Sequence, residues 1–461
     1  MTYFRVQSPK AVLFASLFGL FCFFLSSPTK AEIGAHILID AKSGDVLYES
    51  QSTRKWYPAS LTKIMTAYVT LKAVRDERIT MTSPVVQSKN SISEPPSKMG
   101  FKVGTQLTVD AALKIIMIKS ANDVAVALGE AVLGSEAAFI AEMNREAKRL
   151  GMRNTRFVNP HGLPDNAQVS TARDMALLAR AFWYDFPEAR QIYKHPGIKF
   201  GRKPLRSANR FFLQRVPGAN GMKTGYICNS GYNVAATATR RGRTLIAVVL
   251  GARSGLERTA FTRELMDKGF KKRGSRINVA SLTGSSGNPP ADGYCRRNKK
   301  PGVEAMMARF DMQPKAKRGF LSALAPTDDP GSVLRPGTAA VSKKSPASAM
   351  DSVTLPNGKT DWNAVLDRTI GPERLEYRPI TVTTGVPRGA AVVARLPADG
   401  VPLPTAKPRL AQAAVVADQA DQGQAEEVNP QAAAQPAYGS LFRKGKGFAV
   451  PVPTPSPRQS P

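Results

Sequence analysis

The pattern of apolar and polar positions predicts a folded section that runs from Ile33 to about Arg273. Short β-prone apolar runs predict strands near both ends of this section: Ile33–Asp40, Val46–Glu49, Asn233–Thr239 and Thr244–Ala252. Apolar residues at helical spacing predict the helices between and after them: Leu61–Val74, Val109–Met117, Val124–Val132, Glu136–Leu150, a helix capped by Thr171 that runs to about Phe186, and Leu256–Phe270. This order is typical of one α+β domain in which helices cover an antiparallel sheet.

The composition changes after about Gly274, where the chain becomes rich in Pro, Ala, Ser and Gly. Of the 35 prolines, 23 lie from Pro289 onward. Such a stretch buries too little apolar surface to offset its conformational entropy. We therefore expect residues 274–461 to form a largely disordered tail, with transient helices at 303–324 and 362–375.

The chain is strongly basic, with 65 Lys and Arg residues against 35 Asp and Glu and a formal charge of +30. From Lys271 onward the excess is 27 basic against 15 acidic residues. A polycationic tail would seek an anionic wall polymer or lipid surface. A solvated spacer is the alternative interpretation.

The first 31 residues have the features of a secretory signal peptide. Arg5 and Lys10 supply a basic start, Ala11–Leu25 is apolar, and Thr29-Lys30-Ala31 is an acceptable cleavage site. An apolar run of about 15 residues is short for a membrane span, which needs roughly 20. The prediction is an exported protein of the periplasm or cell envelope, for which a nucleic-acid partner is not expected.

Export would place the cysteines in an oxidising compartment, where Cys228 and Cys295 could pair. A free, buried Cys228 is the alternative. Three cysteines and three histidines in 461 residues do not suit a zinc-ribbon framework or a multi-histidine metal centre, so no metal or cofactor is expected.

Ser60-Leu61-Thr62-Lys63 combines a hydroxyl and an amine one helical turn apart. Ser60 follows Pro58-Ala59 and opens an apolar helix, so unsatisfied backbone N–H groups lie beside it. A serine hydroxyl is a poor nucleophile unless a base takes its proton. Lys63 could be that base if burial and a second cation lowered its pKa. Ser52-Thr53-Arg54-Lys55 has the same form without this context.

Two further motifs follow in order. Ser120-Ala121-Asn122 joins two apolar helices, and Lys223-Thr224-Gly225 leads into the β-prone Tyr226-Ile227-Cys228. A strand with Gly225 in it would let a substrate backbone lie alongside.

The three motifs in this order resemble the penicillin-binding, active-site-serine group. More closely, the sequence resembles the low-molecular-weight D-alanyl-D-alanine carboxypeptidases of peptidase family S11 over about residues 33–270. The matching segments are Leu38-Ile39-Asp40, Gly44–Glu49, Pro58–Thr66, Ser120–Asp123, Asn159-Pro160-His161-Gly162-Leu163, Gly221–Gly225 and Ser230-Gly231-Tyr232-Asn233. The resemblance implies a DD-peptidase/β-lactamase-like domain over residues 32–273.

The resemblance implies a role for each motif residue. Ser60 would be acylated, Lys63 would accept its proton, Ser120 would relay protons to the leaving amine, and Asn122 would orient the substrate amide. Around the terminal carboxylate it implies Lys223, Thr224 and Arg210, with a solvated loop residue as the alternative for Arg210. Backbone N–H groups of Ser60 and Tyr226 would form the oxyanion hole.

The sequence departs from the family pattern at two places. Ile227 stands where many relatives have Thr or Ser, which puts one carboxylate contact in doubt. The chain after Arg273 shows neither the β-rich second domain nor the amphipathic anchor helix of many relatives. His161 lies in a turn, where a packing role is expected.

The function expected from this resemblance is removal of the terminal D-alanine of peptidoglycan stem peptides through an acyl-enzyme on Ser60, with β-lactams as covalent inhibitors. A DD-endopeptidase would use the same site. A β-lactamase is disfavoured because no Glu-x-x-Leu-Asn segment lies between Ser120 and Lys223. A non-catalytic wall-binding scaffold is the remaining alternative.

Overall fold

A computed structural model describes residues 33–284, 287–313, 353–387 and 389. The predicted signal peptide and much of the predicted tail lie outside these residues. The strands are β1 Ala35–Asp40, β2 Val46–Ser50, β3 Pro84–Val86, β4 Gln106–Thr108, β5 Gly197–Phe200, β6 Lys203–Arg206, β7 Ala219–Ile227, β8 Gly231–Arg240, β9 Arg243–Ala252 and β10 Ile380–Val382.

The α-helices are α1 Lys63–Arg75, α2 Lys89–Ile92, α3 Val109–Lys114, α4 Asn122–Leu133, α5 Glu136–Arg149, α6 Ala172–Asp185, α7 Arg190–Tyr193, α8 Arg210–Arg215, α9 Gly255–Lys271, α10 Tyr294–Arg297, α11 Val303–Phe310 and α12 Trp362–Thr369. Short 3₁₀ turns cover Ala59–Thr62 and Pro187–Ala189, and a π-helical turn covers Ile115–Lys119.

The central sheet has five antiparallel strands in the order β2-β1-β9-β8-β7. Alternate residues of β1 face opposite sides, as the strand period requires. Ile37 and Ile39 belong to the core beneath α1, α4 and α6, whereas Leu38 packs into the core beneath α9. Both faces of the sheet are therefore covered, which confirms the predicted α+β class and leaves β7 as an edge strand.

Two of the predicted helices depart from regular α-helical geometry close to the motifs. The helix predicted from Leu61 opens with the 3₁₀ turn at Ala59–Thr62, and the helix predicted to end at Met117 passes into the π-helical turn before Ser120. Ser120 then adopts a left-handed backbone conformation with φ of 70°. Left-handed residues other than glycine are uncommon and concentrate at functional sites.

Two small sheets, β3-β4 and β10-β5-β6, were not predicted from the sequence. Their strands have three or four residues each, too few for an alternating pattern to stand out. Within the described ranges, no single helix is long and apolar enough to cross a bilayer. The pair α4 and α5 passes that test by length and composition only when taken together, across a bend of 85°.

The packed structure continues beyond the predicted boundary at Arg273. Helices α11 and α12 lie within two segments that were predicted to be only transiently helical, and Met306, Phe310, Leu366 and Ile370 join the core beneath α9. Arg263 of α9 donates hydrogen bonds to the carbonyl oxygens at the ends of both helices. The described segments after residue 273, here called the extension (274–284, 287–313 and 353–387), therefore correct the prediction of a disordered tail from this boundary onward.

A disulfide joins the extension to the edge of the central sheet. Cys228, one residue past β7, bonds to Cys295 of α10, and the Cys295 N–H donates to the Cys228 carbonyl over 3.0 Å. Beside this link the Tyr294 hydroxyl donates to the Gly251 carbonyl over 2.8 Å. Of the two predicted alternatives for Cys228, the structure shows the paired one.

Replacing Cys228 and Cys295 together by serine should lower the free energy of unfolding by about 2–4 kcal/mol, because the unfolded chain regains the freedom of a 67-residue loop. Chemical denaturation of both proteins, with and without reductant, measures the effect. Reductant should destabilise the native protein and leave the double variant unchanged. Equal stability of the two oxidised proteins would contradict the prediction.

Candidate active site

Ser60 lies at the start of α1, and the turn that carries it is held from both sides. Ala59, with φ of 48°, turns the chain into the 3₁₀ segment. Gly225 of β7 packs against it so closely that a Cβ at this position would lie 2.9 Å from the Ser60 backbone nitrogen and 3.0 Å from the Pro58 carbonyl oxygen. Only glycine allows this approach, which brings the edge strand alongside the serine.

Lys63 is completely buried, and its amine lies 3.1 Å from Ser60 Oγ. The same Nζ lies 2.7 Å from Asn122 Oδ1 and 2.8 Å from the His161 carbonyl oxygen. A neutral amine has two N–H groups and one lone pair. With two acceptors placed for the two N–H groups, the lone pair faces the Ser60 hydroxyl.

The surroundings of Lys63 favour this neutral form. Burial lowers the pKa of Lys63 well below its ordinary value, and the positive charge of Lys223 lowers it further. Glu94 and Asp123 act in the opposite direction and are smaller effects. The base role predicted for Lys63 required burial and a second cation to lower its pKa. Burial is the larger of the two effects, and Lys223 is the second cation.

The second amine approaches from β7. Lys223 Nζ donates to Ser120 Oγ over 2.8 Å and to the Thr224 carbonyl over 2.9 Å. Burial, together with the positive charge of Arg258, lowers the pKa of Lys223 to about 7. The left-handed conformation of Ser120 lets its hydroxyl face the strand while Asn122, two residues later, reaches Lys63.

These residues lie in a groove with a cavity volume of about 490 Å³. Seven predicted site residues line it: Ser60, Ser120, Asn122, Arg210, Thr224, Gly225 and Tyr226. Lys63 and Lys223 lie beneath and bond to the lining serines. The structure thus brings all nine predicted residues together. Ile227 also lines the groove and packs against Tyr57 and Ala59.

All the charged residues that line the groove in the described part of the chain are basic. Its lining includes seven basic residues: Lys98, Lys119, Arg206, Arg210, Arg253, Arg258 and Lys300. None of the lining residues in the described part of the chain is Asp or Glu. Arg253 is neutralised by Glu257, which lies behind it at 2.6 Å. Such a lining attracts anionic groups.

Arg258 is the site residue that the sequence reasoning missed. It is buried, it lines the groove with Arg210, and it donates to the Ala208 carbonyl over 2.8 Å. Burial, together with the nearby charge of Arg210, lowers the pKa of Arg258 to about 10. The sequence did contain a signal for it. Arg258 lies four residues before Thr262 and seven before Leu265, so helical spacing places this charged residue on the buried face of α9.

His161 does not reach Ser60 with its side chain. Its Nδ1 accepts a hydrogen bond from the Leu163 N–H over 3.1 Å, so its proton is on Nε2, which faces Glu94 Oε2 at 3.1 Å. Glu136 lies close enough that the three side chains could surround an ion. A protonated Nε2 cannot ligate a metal, so the geometry favours a close polar contact between His161 and Glu94. This pair holds the loop whose carbonyl oxygen binds Lys63, as the expected packing role requires.

Comparison with known proteins identifies the class that this fold and site define. The family model for peptidase S11, described as D-alanyl-D-alanine carboxypeptidase, matches residues 24–254. The chain is 40% identical over 243 residues to D-alanyl-D-alanine carboxypeptidase DacC of Escherichia coli strain K12, which covers 51% of this chain and 61% of DacC. It is 31% identical to a D-alanyl-D-alanine endopeptidase of Pseudomonas aeruginosa, over 48% of this chain and 71% of that protein.

A solved structure gives the same result for the fold. Penicillin binding protein 5 from Haemophilus influenzae superposes with a TM-score of 0.50 and 32% identity, over 53% of this chain and 72% of that one. The chain therefore belongs to the peptidase S11 family. It spans a little over 60% of the length of relatives such as DacC, and the family-model match ends at residue 254, before the extension begins.

The depressed pKa of Lys223 predicts a pH-dependent stability. Its folded pKa is about 7 and its ordinary value is 10.5, so between these limits the unfolded chain binds more protons. The free energy of unfolding should therefore rise with pH across this window, by up to about 1.4 kcal/mol per pH unit from this group.

Denaturation of the native protein and of Lys223→Met from pH 6 to pH 11 tests this expectation. The slope of the variant should be smaller by up to about 1.4 kcal/mol per pH unit, because Lys63 still titrates in it, whereas Lys203→Met, at an exposed lysine, should keep the native slope. Parallel pH curves for the native protein and Lys223→Met would show that the buried amine does not titrate as proposed.

Proposed function

We propose that this protein is a serine-type D-Ala-D-Ala carboxypeptidase that removes the terminal D-alanine from peptidoglycan stem peptides. The observation that carries the proposal is the convergence of two buried amines, Lys63 and Lys223, on the hydroxyls of Ser60 and Ser120, which line a cationic groove. Membership of the S11 family supports it.

The acylation step follows from the hydrogen bonds. The Lys63 lone pair takes the Ser60 proton while Oγ bonds to the carbonyl carbon of the penultimate D-alanine. Backbone N–H groups of Ser60 and Tyr226 hold the resulting oxyanion, an interaction worth about 3 kcal/mol per donor in comparable sites. The C–N bond breaks as the proton that Lys63 took from Ser60 passes to the leaving amine through the Ser120 hydroxyl, which Lys223 holds by a hydrogen bond. Water then hydrolyses the ester on Ser60.

The terminal carboxylate has a matching set of partners. Thr224 lines the groove one residue after Lys223, and Arg210 and Arg258 line it nearby. Burial makes a cation effective there, since water screens the charge less. Arg210 is 7% exposed and stacks over the Phe211 ring, which argues against the alternative of a solvated loop residue. Ile227 offers no hydrogen bond, so this set replaces the missing Thr or Ser.

β-Lactams should acylate Ser60 as well, because their strained amide resembles the D-Ala–D-Ala bond. No carboxylate lines the groove in the described ranges, so none is placed there to direct water at the ester. We therefore expect a long-lived adduct rather than β-lactamase turnover.

Export and placement in the periplasm or cell envelope are part of the proposal and depend on the predicted signal peptide. Binding of the basic residues beyond Arg273 to an anionic wall polymer or lipid is a prediction from charge alone.

Labelling with a fluorescent penicillin tests the nucleophile. The native protein should form a covalent adduct, and Ser60→Ala should form none because the acylated oxygen is gone. Ser52→Ala is the matched control, since Ser52 precedes Lys55 with the same spacing. Labelling that persists in Ser60→Ala, or that fails in the native protein, would contradict the proposal.

Incubation with a stem pentapeptide and with a cross-linked muropeptide separates the two peptidase activities. Release of free D-alanine from the pentapeptide supports the carboxypeptidase, and cleavage of the cross-link alone would assign the endopeptidase instead. Added chelator should leave the activity unchanged. A native protein that neither labels nor cleaves would favour the wall-binding scaffold.

Replacing Lys63 by methionine should slow acylation by roughly 100-fold or more, the usual contribution of a general base. Stopped-flow labelling measures the rate. In the native protein the rate should rise with pH through the lowered pKa of Lys63, because the neutral amine is the active form. Lys72→Met, on the exposed side of α1, should behave as the native protein does. An unchanged rate in Lys63→Met would require another base.

A further inference from the structure

The extension forms part of the wall of the active-site groove. Lining residues near Ser60 come from the domain shared with the family, but the lining continues through Tyr294, Asn298, Lys300 and Val303 to Trp362. These residues lie beyond the segment 24–254 that the family model matches. The groove of this chain is therefore bounded by residues for which the family comparison provides no role.

The position of this wall relative to the substrate follows from β7, on the basis of the proposed function. β7 is an edge strand, so a substrate backbone can lie along it. With the scissile carbonyl at Ser60 and Tyr226 and the terminal carboxylate toward Thr224, the upstream residues of the peptide extend past Ile227 to Cys228. Cys228 is the residue that the disulfide joins to Cys295. The extension thus faces the residue that precedes the D-alanine pair.

The wall is held firmly enough to act as a binding surface. Besides the disulfide, the Cys295 N–H donates to the Cys228 carbonyl, Asn229 Nδ2 donates to Asp292 over 2.7 Å, and the Gly293 N–H donates to Asn229 Oδ1 over 2.9 Å. The Tyr294 ring packs edge-on against Trp56, with the ring centroids 5.4 Å apart. The loop after Cys228 and the helix α10 therefore move together.

Lys300 is the basic residue that this wall contributes to the groove lining. It is exposed and forms no ion pair with any residue in the described ranges. No acidic residue lines the groove to compete for it, again within the described ranges. Its charge is therefore available to a bound peptide.

We propose that residues 294–301 form an upstream subsite that selects stem peptides whose third residue carries an ionised side-chain carboxylate, with Lys300 as the specificity-determining residue. Stems in which that group is amidated, or in which the side chain ends in an amine alone, fit the cationic lining less well. An exposed charge pair gives a modest effect, which salt weakens.

Two matched peptides test the subsite: N-acetyl-L-2-aminopimelyl-D-Ala-D-Ala and the same peptide with its side-chain carboxylate converted to the carboxamide. The native full chain should cleave the acid with a kcat/KM roughly fivefold higher than the amide at low ionic strength. The ratio should fall toward one in 1 M salt. Lys300→Met should reduce the ratio to below about twofold, mainly through KM for the acid.

Lys299→Met is the control, because Lys299 is the neighbouring exposed lysine and does not line the groove. It should keep the native ratio. Equal cleavage of the two peptides by the native protein, or the same ratio in Lys300→Met and Lys299→Met, would overturn the subsite and leave the peptidase assignment intact. Cleavage of neither peptide together with absent penicillin labelling of Ser60 would overturn the proposed function and the subsite with it.

Discussion

The site depends on keeping two lysine amines in a region that water does not reach. Buried amines are normally paired with carboxylates, because an unpaired charge is costly to bury. Here Lys63 donates to the amide oxygen of Asn122 and to a backbone carbonyl, and Lys223 donates to the hydroxyl of Ser120 and to a backbone carbonyl. Such neutral acceptors do not stabilise two full positive charges. The environment instead favours the neutral amine, which is the form that can remove a proton from a serine.

The rest of the fold serves this constraint. The 3₁₀ turn and α1 fix the spacing between Ser60 and Lys63, and the π-helical turn ends so that Ser120 and Asn122 face different amines. The edge position of β7 brings Lys223 to the same place from 163 residues further along the chain than Ser60. Gly225 makes the meeting of strand and turn sterically possible. Each of these features places one amine beside the hydroxyl to which it bonds.

Much of this arrangement could be predicted from the sequence because it is local. The spacing of Ser60 and Lys63 follows from one helical turn, and strands such as Ile33–Asp40 follow from short apolar runs. The hydrogen bond from Lys223 to Ser120 is a long-range contact that was not predicted. The resemblance of the motifs implied only that Lys223 lies around the terminal carboxylate of the substrate. Arg258 was missed because a helix pattern does not show which buried position lies at the groove.

The extension was harder to predict for a different reason. Its helices α11 and α12 are eight residues each, and they are separated by a long stretch rich in proline and small residues. Helices this short are marginal on their own and form by packing on an existing surface. Met306 and Leu366 find that surface at α9, a contact that composition alone could not reveal. The average composition after Arg273 therefore concealed the parts that fold.

The disulfide between Cys228 and Cys295 separates the maturation of this protein into two steps, folding of the chain and oxidation of two thiols. The lining of the groove is covalently complete only after two thiols have lost their electrons to an oxidant. A chain kept reduced can still place Ser60 beside Lys63, since neither residue depends on the sulfur atoms, but its far wall is tethered by weaker contacts alone. The serine can therefore become reactive before the disulfide has formed, and the wall of the groove is completed in a separate oxidation step.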